Sequence, residues 1–140
     1  MPVAHFHVPA GSFTDEQQRT LLLEASSIYS QVLDSPIERV RTFLVSYPPT
    51  SVAVAGAIVA EGGTVAPYFT AIVLHGRPAS QRHLLLERFT DLIVDVFEVD
   101  RSGIRGQIIE VNPENWGIAG SPASELRAGE AAARAAGRSR

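Results

Sequence analysis

The chain has 140 residues, 45% hydrophobic and 19% charged, which suits one globular domain with its own core; with no apolar run near the about 18 residues of a membrane span and no signal-peptide pattern, a soluble cytoplasmic protein is expected. It contains neither cysteine nor lysine, which excludes disulfides, thiolate nucleophiles, cysteine-ligated metals and lysine Schiff bases, and leaves an α-amino terminus at residue 1 or 2 as the only amine. The net charge is −3, and Arg127, Arg134, Arg138 and Arg140 lie in the last stretch, so the rest is more acidic still and offers nucleic acid no basic face.

In chain order, Val3 to Val8 reads as a strand, with Ala4, Phe6 and Val8 on one face and Val3, His5 and His7 on the other. Thr14 then caps a helix of about five turns, with Glu16 and Gln17 in its first turn and Leu21, Leu22, Ala25, Ile28, Tyr29, Val32 and Leu33 at helical spacing. A second strand spans Arg39 to Tyr47 and is followed by a short hairpin ending in glycine. The same order returns as a strand from Tyr68 to Leu74, a helix opened by Pro78 with Leu84, Leu85, Phe89, Leu92, Ile93, Val96 and Phe97 on one stripe, and a strand from Ile104 to Val111. A helical crossover makes the two strands it joins parallel. Ser121 to Arg140, rich in alanine, glycine, arginine and serine, is expected to be a mobile tail or a loosely docked helix.

The second half repeats the first. Gln18-Arg19-Thr20-Leu21-Leu22-Leu23-Glu24 recurs as Gln81-Arg82-His83-Leu84-Leu85-Leu86-Glu87. After one inserted residue, Val40-Arg41 returns as Ile104-Arg105, Pro49 as Pro113 and Gly56 as Gly120. The expected fold is α+β: a duplicated β-α-β in one domain over residues 1–120, with repeats 1–60 and 61–120, a four-stranded sheet, two helices on one face, and a tail over 121–140.

A duplicated β-α-β that begins with a proline directly after methionine resembles the tautomerase superfamily over residues 2 to about 120. Gly76-Arg77, at the strand-to-helix junction of the second half, matches the family's Gly-Arg pair; the first half has Phe13-Thr14 there. Trp116-Gly117-Ile118-Ala119-Gly120 is similar to the family's aromatic-Gly-Ile-Gly-Gly hairpin, and Val52 stands in place of the aromatic in the first half. The resemblance implies a cofactor-free, MIF-like homotrimer in which Pro2, exposed once Met1 is removed, gives or takes a proton. It assigns catalytic roles to Pro2, Arg77 and Glu38, and substrate contacts to Arg41, His75, Arg105, Trp116 and Asn115. Of these, Glu38 and Trp116 fall on residues of malonate semialdehyde decarboxylase, whose second arginine is His75 here, and Asn115 stands where the haloacrylate dehalogenase has its glutamate.

The expected activity is keto-enol proton transfer on a small carboxylate such as phenylpyruvate or 2-hydroxymuconate, with no metal and no nucleic-acid or membrane partner. An α-amino group titrates at about 7.7–8.0 and a proline amine is more basic, so a Pro2 base at neutral pH must be tuned down by about two units by burial and a nearby arginine. The alternatives are a decarboxylase or hydratase of a three-carbon acid, in which a protonated Pro2 is the acid, and a non-enzymatic trimeric interaction domain. Tyr47 and Tyr68 are further candidates to donate to an enolate, and His5-x-His7 has the spacing of two metal ligands without a third.

Overall fold

The computed structural model describes residues 2–126. Met1 and residues 127–140, with most of the expected tail, lie outside the described residues.

Strand β1 (Val3–Pro9) leads into helix α1 (Asp15–Leu33) and returns as β2 (Arg41–Tyr47). A two-residue hairpin, β3 (Ala53–Val54) and β4 (Ala57–Ile58), closes this half. The second half repeats it as β5 (Tyr68–Leu74), α2 (Ala79–Phe97), β6 (Arg105–Val111) and the hairpin β7 (Gly117–Ile118) and β8 (Ser121–Pro122). The fold is α+β, with a mixed four-stranded sheet in the order β2-β1-β5-β6. β1 pairs with β2 and β5 with β6 in parallel, and the two halves join through the antiparallel pair β1–β5.

Local chemistry sets each boundary. The Thr14 hydroxyl accepts the Gln17 N–H at 3.1 Å while the Gln17 side chain accepts the Thr14 N–H at 2.9 Å, a reciprocal cap that starts α1. Both helices end in a left-handed residue, Asp34 and Glu98. The second strand starts at Arg41 rather than at the expected Arg39, because Ile37–Arg39 close a 3-10 turn whose carbonyl at Ile37 takes the Val40 N–H at 3.0 Å. Likewise β6 starts at Arg105, after the turn Arg101–Gly103. The expected tail boundary at Ser121 is corrected too: Ser121 and Pro122 pair with Ile118 and Gly117, and Ala123 is buried with its N–H on the Trp116 carbonyl at 2.8 Å.

Alternation along β1 and β5 puts Ala4, Phe6, Val8, Phe69, Ala71 and Val73 under the two helices, in one core with Leu21, Ala25, Tyr29, Leu85, Phe89 and Ile93. Phe89 is its hub, meeting Phe6, Phe69 and Tyr29 edge-on at centroid distances of 5.5, 5.6 and 5.2 Å.

The opposite sheet face carries Val3, His5 and His7 on β1 with Arg41, Phe43 and Val45 beside them on β2. His5 stacks on Phe43 at 5.2 Å and on His7 at 6.3 Å. Burial, with His5 next to it, holds the His7 imidazole below its ordinary pKa. The neutral form is therefore favoured in the folded state, and the stability this contributes is present above the unfolded value of about 6.5 and lost as pH falls through the lower folded value. Thermal melts taken from about pH 8 to about pH 5 are expected to show a fall in stability that His7→Phe makes shallower.

Candidate active site

The repeat arranges the sheet so that the start of β1, the start of β2 and the end of β6 meet at one end. Pro2 is fully buried there, and its carbonyl accepts the Arg41 N–H at 2.9 Å. From the core side, the Tyr29 hydroxyl donates to the carbonyls of Ile72, at 2.5 Å, and Val3, at 3.3 Å. Burial drives the Tyr29 pKa far upward, with the nearby Arg77 cation opposing it, so the phenol stays protonated and pins the first residues of β1 to β5.

On the open face of this end is a cavity of about 510 Å³, within the range of small-molecule sites, lined by Val3, Glu38, Arg39, Arg41, Trp116–Ala119 and Leu126. Glu38 reaches it from the 3-10 turn before β2. Arg41 Nη1 donates to the Glu38 carbonyl at 2.9 Å, which fixes one side of its guanidinium. Trp116 comes from the other half: Ala119 and Gly120, at φ 50° and 88°, turn the β7–β8 hairpin back over the sheet. The Asn112 side chain accepts the Glu114 N–H at 3.0 Å and holds the turn that leads to it. The walls combine two cations and one carboxylate with an apolar side of Val3, Trp116, Ile118 and Leu126. This arrangement can bind a small carboxylate bidentately beside the start of β1.

The structure thus brings Glu38, Arg41 and Trp116 to one cavity; Pro2, next in the chain to the lining residue Val3, is fully buried and is not itself among the lining residues. Arg77, His75, Asn115 and Arg105 are not among the lining residues. Arg77 Nη1 donates to the Leu33 carbonyl at 2.7 Å and to Gln81 at 3.3 Å, so this arginine covers the C-terminus of α1, where a cation is favoured by the helix dipole. In the first half the corresponding junction is apolar: Phe13 stacks on Phe97 at the end of α2 at 3.7 Å. His75 is exposed and lies 3.8 Å from Glu110, which also meets Arg82 at 3.5 Å. Asn115 is exposed in the turn just before Trp116.

Arg105 occupies the opposite end of the sheet. Its Nη1 bonds the carbonyls of Ser102 and Ile104 at 2.8 and 3.1 Å, repeating the arrangement of Arg41. Tyr47 and Tyr68 are at that end too, in a second cavity away from Pro2. Sequence reasoning missed Arg39 and Leu126. Arg39 corresponds to Gly103 in the second half, and that asymmetry was the available signal; Leu126 fell within the segment assigned to the tail.

A family model described as "Tautomerase enzyme" matches residues 67–125. The 2-hydroxymuconate tautomerase of Pseudomonas putida is 39% identical over 56 residues, covering 40% of this chain and 87% of that one. Among solved structures, a native fused 4-OT superposes with a TM-score of 0.83 at 25% identity, covering 89% of this chain and 98% of that one. A fused 4-OT wild-type asymmetric trimer has a TM-score of 0.80 at 22% identity, covering 89% and 98%. The matched segment 67–125 contains Arg77, Arg105 and Trp116; Pro2, Glu38 and Arg41 lie before it.

Proposed function

Because the chain belongs to the tautomerase family, we propose that it is an isomerase that uses the Pro2 amine, freed by removal of Met1, for 1,3-keto-enol proton transfer on a small 2-keto or enol carboxylate. The observation that carries this reading is the cavity beside the start of β1, where Arg39, Arg41, Glu38 and Trp116 converge from both halves of the repeat. Arg41, held by the Glu38 carbonyl, and Arg39 grip the substrate carboxylate. Trp116 and Leu126 wall the site against water, which strengthens the charge pairing and depresses the amine pKa. The Pro2 nitrogen takes the enol hydroxyl proton as the carbonyl forms, and returns it to the carbon that gains electron density as the double bond moves. Membership of an enzyme family removes the reading of a purely structural interaction domain.

Glu38 in the same cavity favours a second reading. A carboxylate beside the amine raises its pKa and keeps Pro2 protonated, the state required for decarboxylation or hydration of a three-carbon acid. A titration of the Pro2 nitrogen by NMR separates the two: a pKa of about 6–7 identifies a base and one of about 9 an acid.

Arg41 and Arg77 separate by kinetics and stability. Arg41→Gln is expected to lower kcat/KM for 2-hydroxymuconate or phenylpyruvate by about 10²-fold, with unchanged melting temperature, through loss of the bidentate carboxylate contact. Arg77→Gln is expected to lower the melting temperature through loss of the α1 cap, by about 1 kcal/mol of stability. A kinetic loss of that size in Arg77→Gln with none in Arg41→Gln assigns the carboxylate grip to Arg77 instead. We further propose that the chain forms a homotrimer through its open sheet face, where Phe43 and Ile109 stay 48% and 36% exposed in one chain. This agrees with the trimer named for a fused 4-OT structure.

A further inference from the structure

The duplication leaves a second cavity, of about 340 Å³, at the end of the open sheet face away from Pro2, under the β3–β4 hairpin. Its place in the second half is that of the active-site cavity in the first: β5 starts after Pro67 as β1 starts after Pro2, and the Pro67 carbonyl accepts the Arg105 N–H as that of Pro2 accepts the Arg41 N–H. Its chemistry differs at each point. Pro67 follows Ala66 in the chain, so its nitrogen is an amide with no lone pair for proton transfer. Among the described residues, no arginine, aspartate or glutamate lines it, whereas three such groups line the first cavity.

In their place are rings. His7 stacks between Tyr47, at 5.7 Å and 27°, and Tyr68, at 5.3 Å and 22°, and His7 Nδ1 is hydrogen-bonded to the Tyr47 hydroxyl at 2.7 Å. The Tyr68 hydroxyl donates to Gln107 Oε1 at 3.1 Å. Val52 and Ala53 of the hairpin supply an apolar wall, and Ser51 a hydroxyl. The volume falls within the range of small-molecule sites and fits one aromatic ring with a short substituent.

We propose that this cavity is a non-catalytic binding site for a neutral, hydroxyl-bearing aromatic ring of the phenol class, separate from the carboxylate site beside Pro2. The ring extends the stack of His7, Tyr47 and Tyr68, and its hydroxyl joins the His7–Tyr47 hydrogen bond, where each partner can both donate and accept. With no arginine among the described lining residues, a carboxylate gains nothing there and its desolvation goes uncompensated. The proposal stands apart from the assignment of the catalytic base.

Phenol is the probe. Trp116 is the sole tryptophan and lines the first cavity, while His7 lines the second, so two signals report the two sites independently. Titration of the whole protein with phenol is expected to shift the His7 imidazole resonances saturably, with millimolar affinity, and to leave Trp116 emission unchanged; benzoate is expected to leave His7 unshifted. Tyr47→Phe weakens phenol binding about five-fold through the lost hydroxyl. Val52→Phe fills the cavity and abolishes the His7 shift while leaving tautomerase activity unchanged, which shows that the fold is intact. Three outcomes overturn the proposal: a shift that fails to saturate, one that persists in Val52→Phe, or phenol binding read at Trp116 instead of His7.

Discussion

A form of the protein carrying one residue ahead of Pro2 is expected to lose about 10²–10⁴-fold in tautomerase turnover, with substrate binding retained. The change converts the Pro2 nitrogen from a secondary amine into an amide, so the proposed general acid or base disappears while Arg39, Arg41 and Trp116 keep their places around the cavity. The measurement pairs intact mass, which fixes the N-terminal residue, with the rate of enol decay in the same sample. Full activity in a preparation that retains Met1 overturns the amine mechanism. In the proposed mechanism the large effect belongs to kcat because the amine acts on the proton in flight, whereas the arginines hold the carboxylate in ground and transition states alike.

Gly106→Ala is expected to destabilise the fold by about 3 kcal/mol, a fall in melting temperature of roughly 10 °C for a domain of this size. Gly106 pairs with Phe69 across β5 and β6 on the helix side of the sheet, and a Cβ there lies 2.1 Å from Phe69 Cζ. The Phe69 ring cannot give way, because it is fully buried against Phe6 and Phe89. A second change, Phe69→Leu, vacates that space, and the double variant is expected to recover part of the loss, a non-additivity measurable by denaturant titration. A melting temperature within about 2 °C of the parent contradicts the packing argument.

The elements that form by local rules were legible in the chain itself. The Thr14 cap, the two helical stripes and the alternation of Ala4, Phe6 and Val8 each depend on neighbours a few residues away, and the structure places them as the sequence indicates except for Leu84, which is exposed while Leu86 packs against the core. The repeat made the sheet legible as well, since two equal β-α-β units leave little choice but to join edge to edge. Strand starts were less so. Arg39, read as the first strand residue, instead closes the 3-10 turn Ile37–Arg39, and β6 starts at Arg105, one residue after the expected Ile104.

The site was legible only in part. Glu38, Arg41 and Trp116 were named as candidates from residue type and motif, but their meeting at one cavity depends on which strand ends share one edge of the sheet. Arg77 shows the difference. At a helix N-terminus its charge opposes the dipole and suggests a ligand; the folded chain supplies the C-terminal carbonyl of α1 as its partner, brought close by packing across 44 residues of sequence. Arg39 shows the converse, a side chain with no motif that the turn before β2 delivers to the cavity.

By itself, then, the sequence determined the duplicated β-α-β architecture, the core faces and the absence of lysine amines, because these follow from periodicity, repetition and composition. Which arginines face the cavity, where the chain after Trp116 packs, and that the second half keeps a neutral ring-lined cavity where the first has its charged one were decided by tertiary structure alone. Those outcomes rest on contacts between residues far apart in the chain, whose geometry exists only after both halves have joined across β1 and β5.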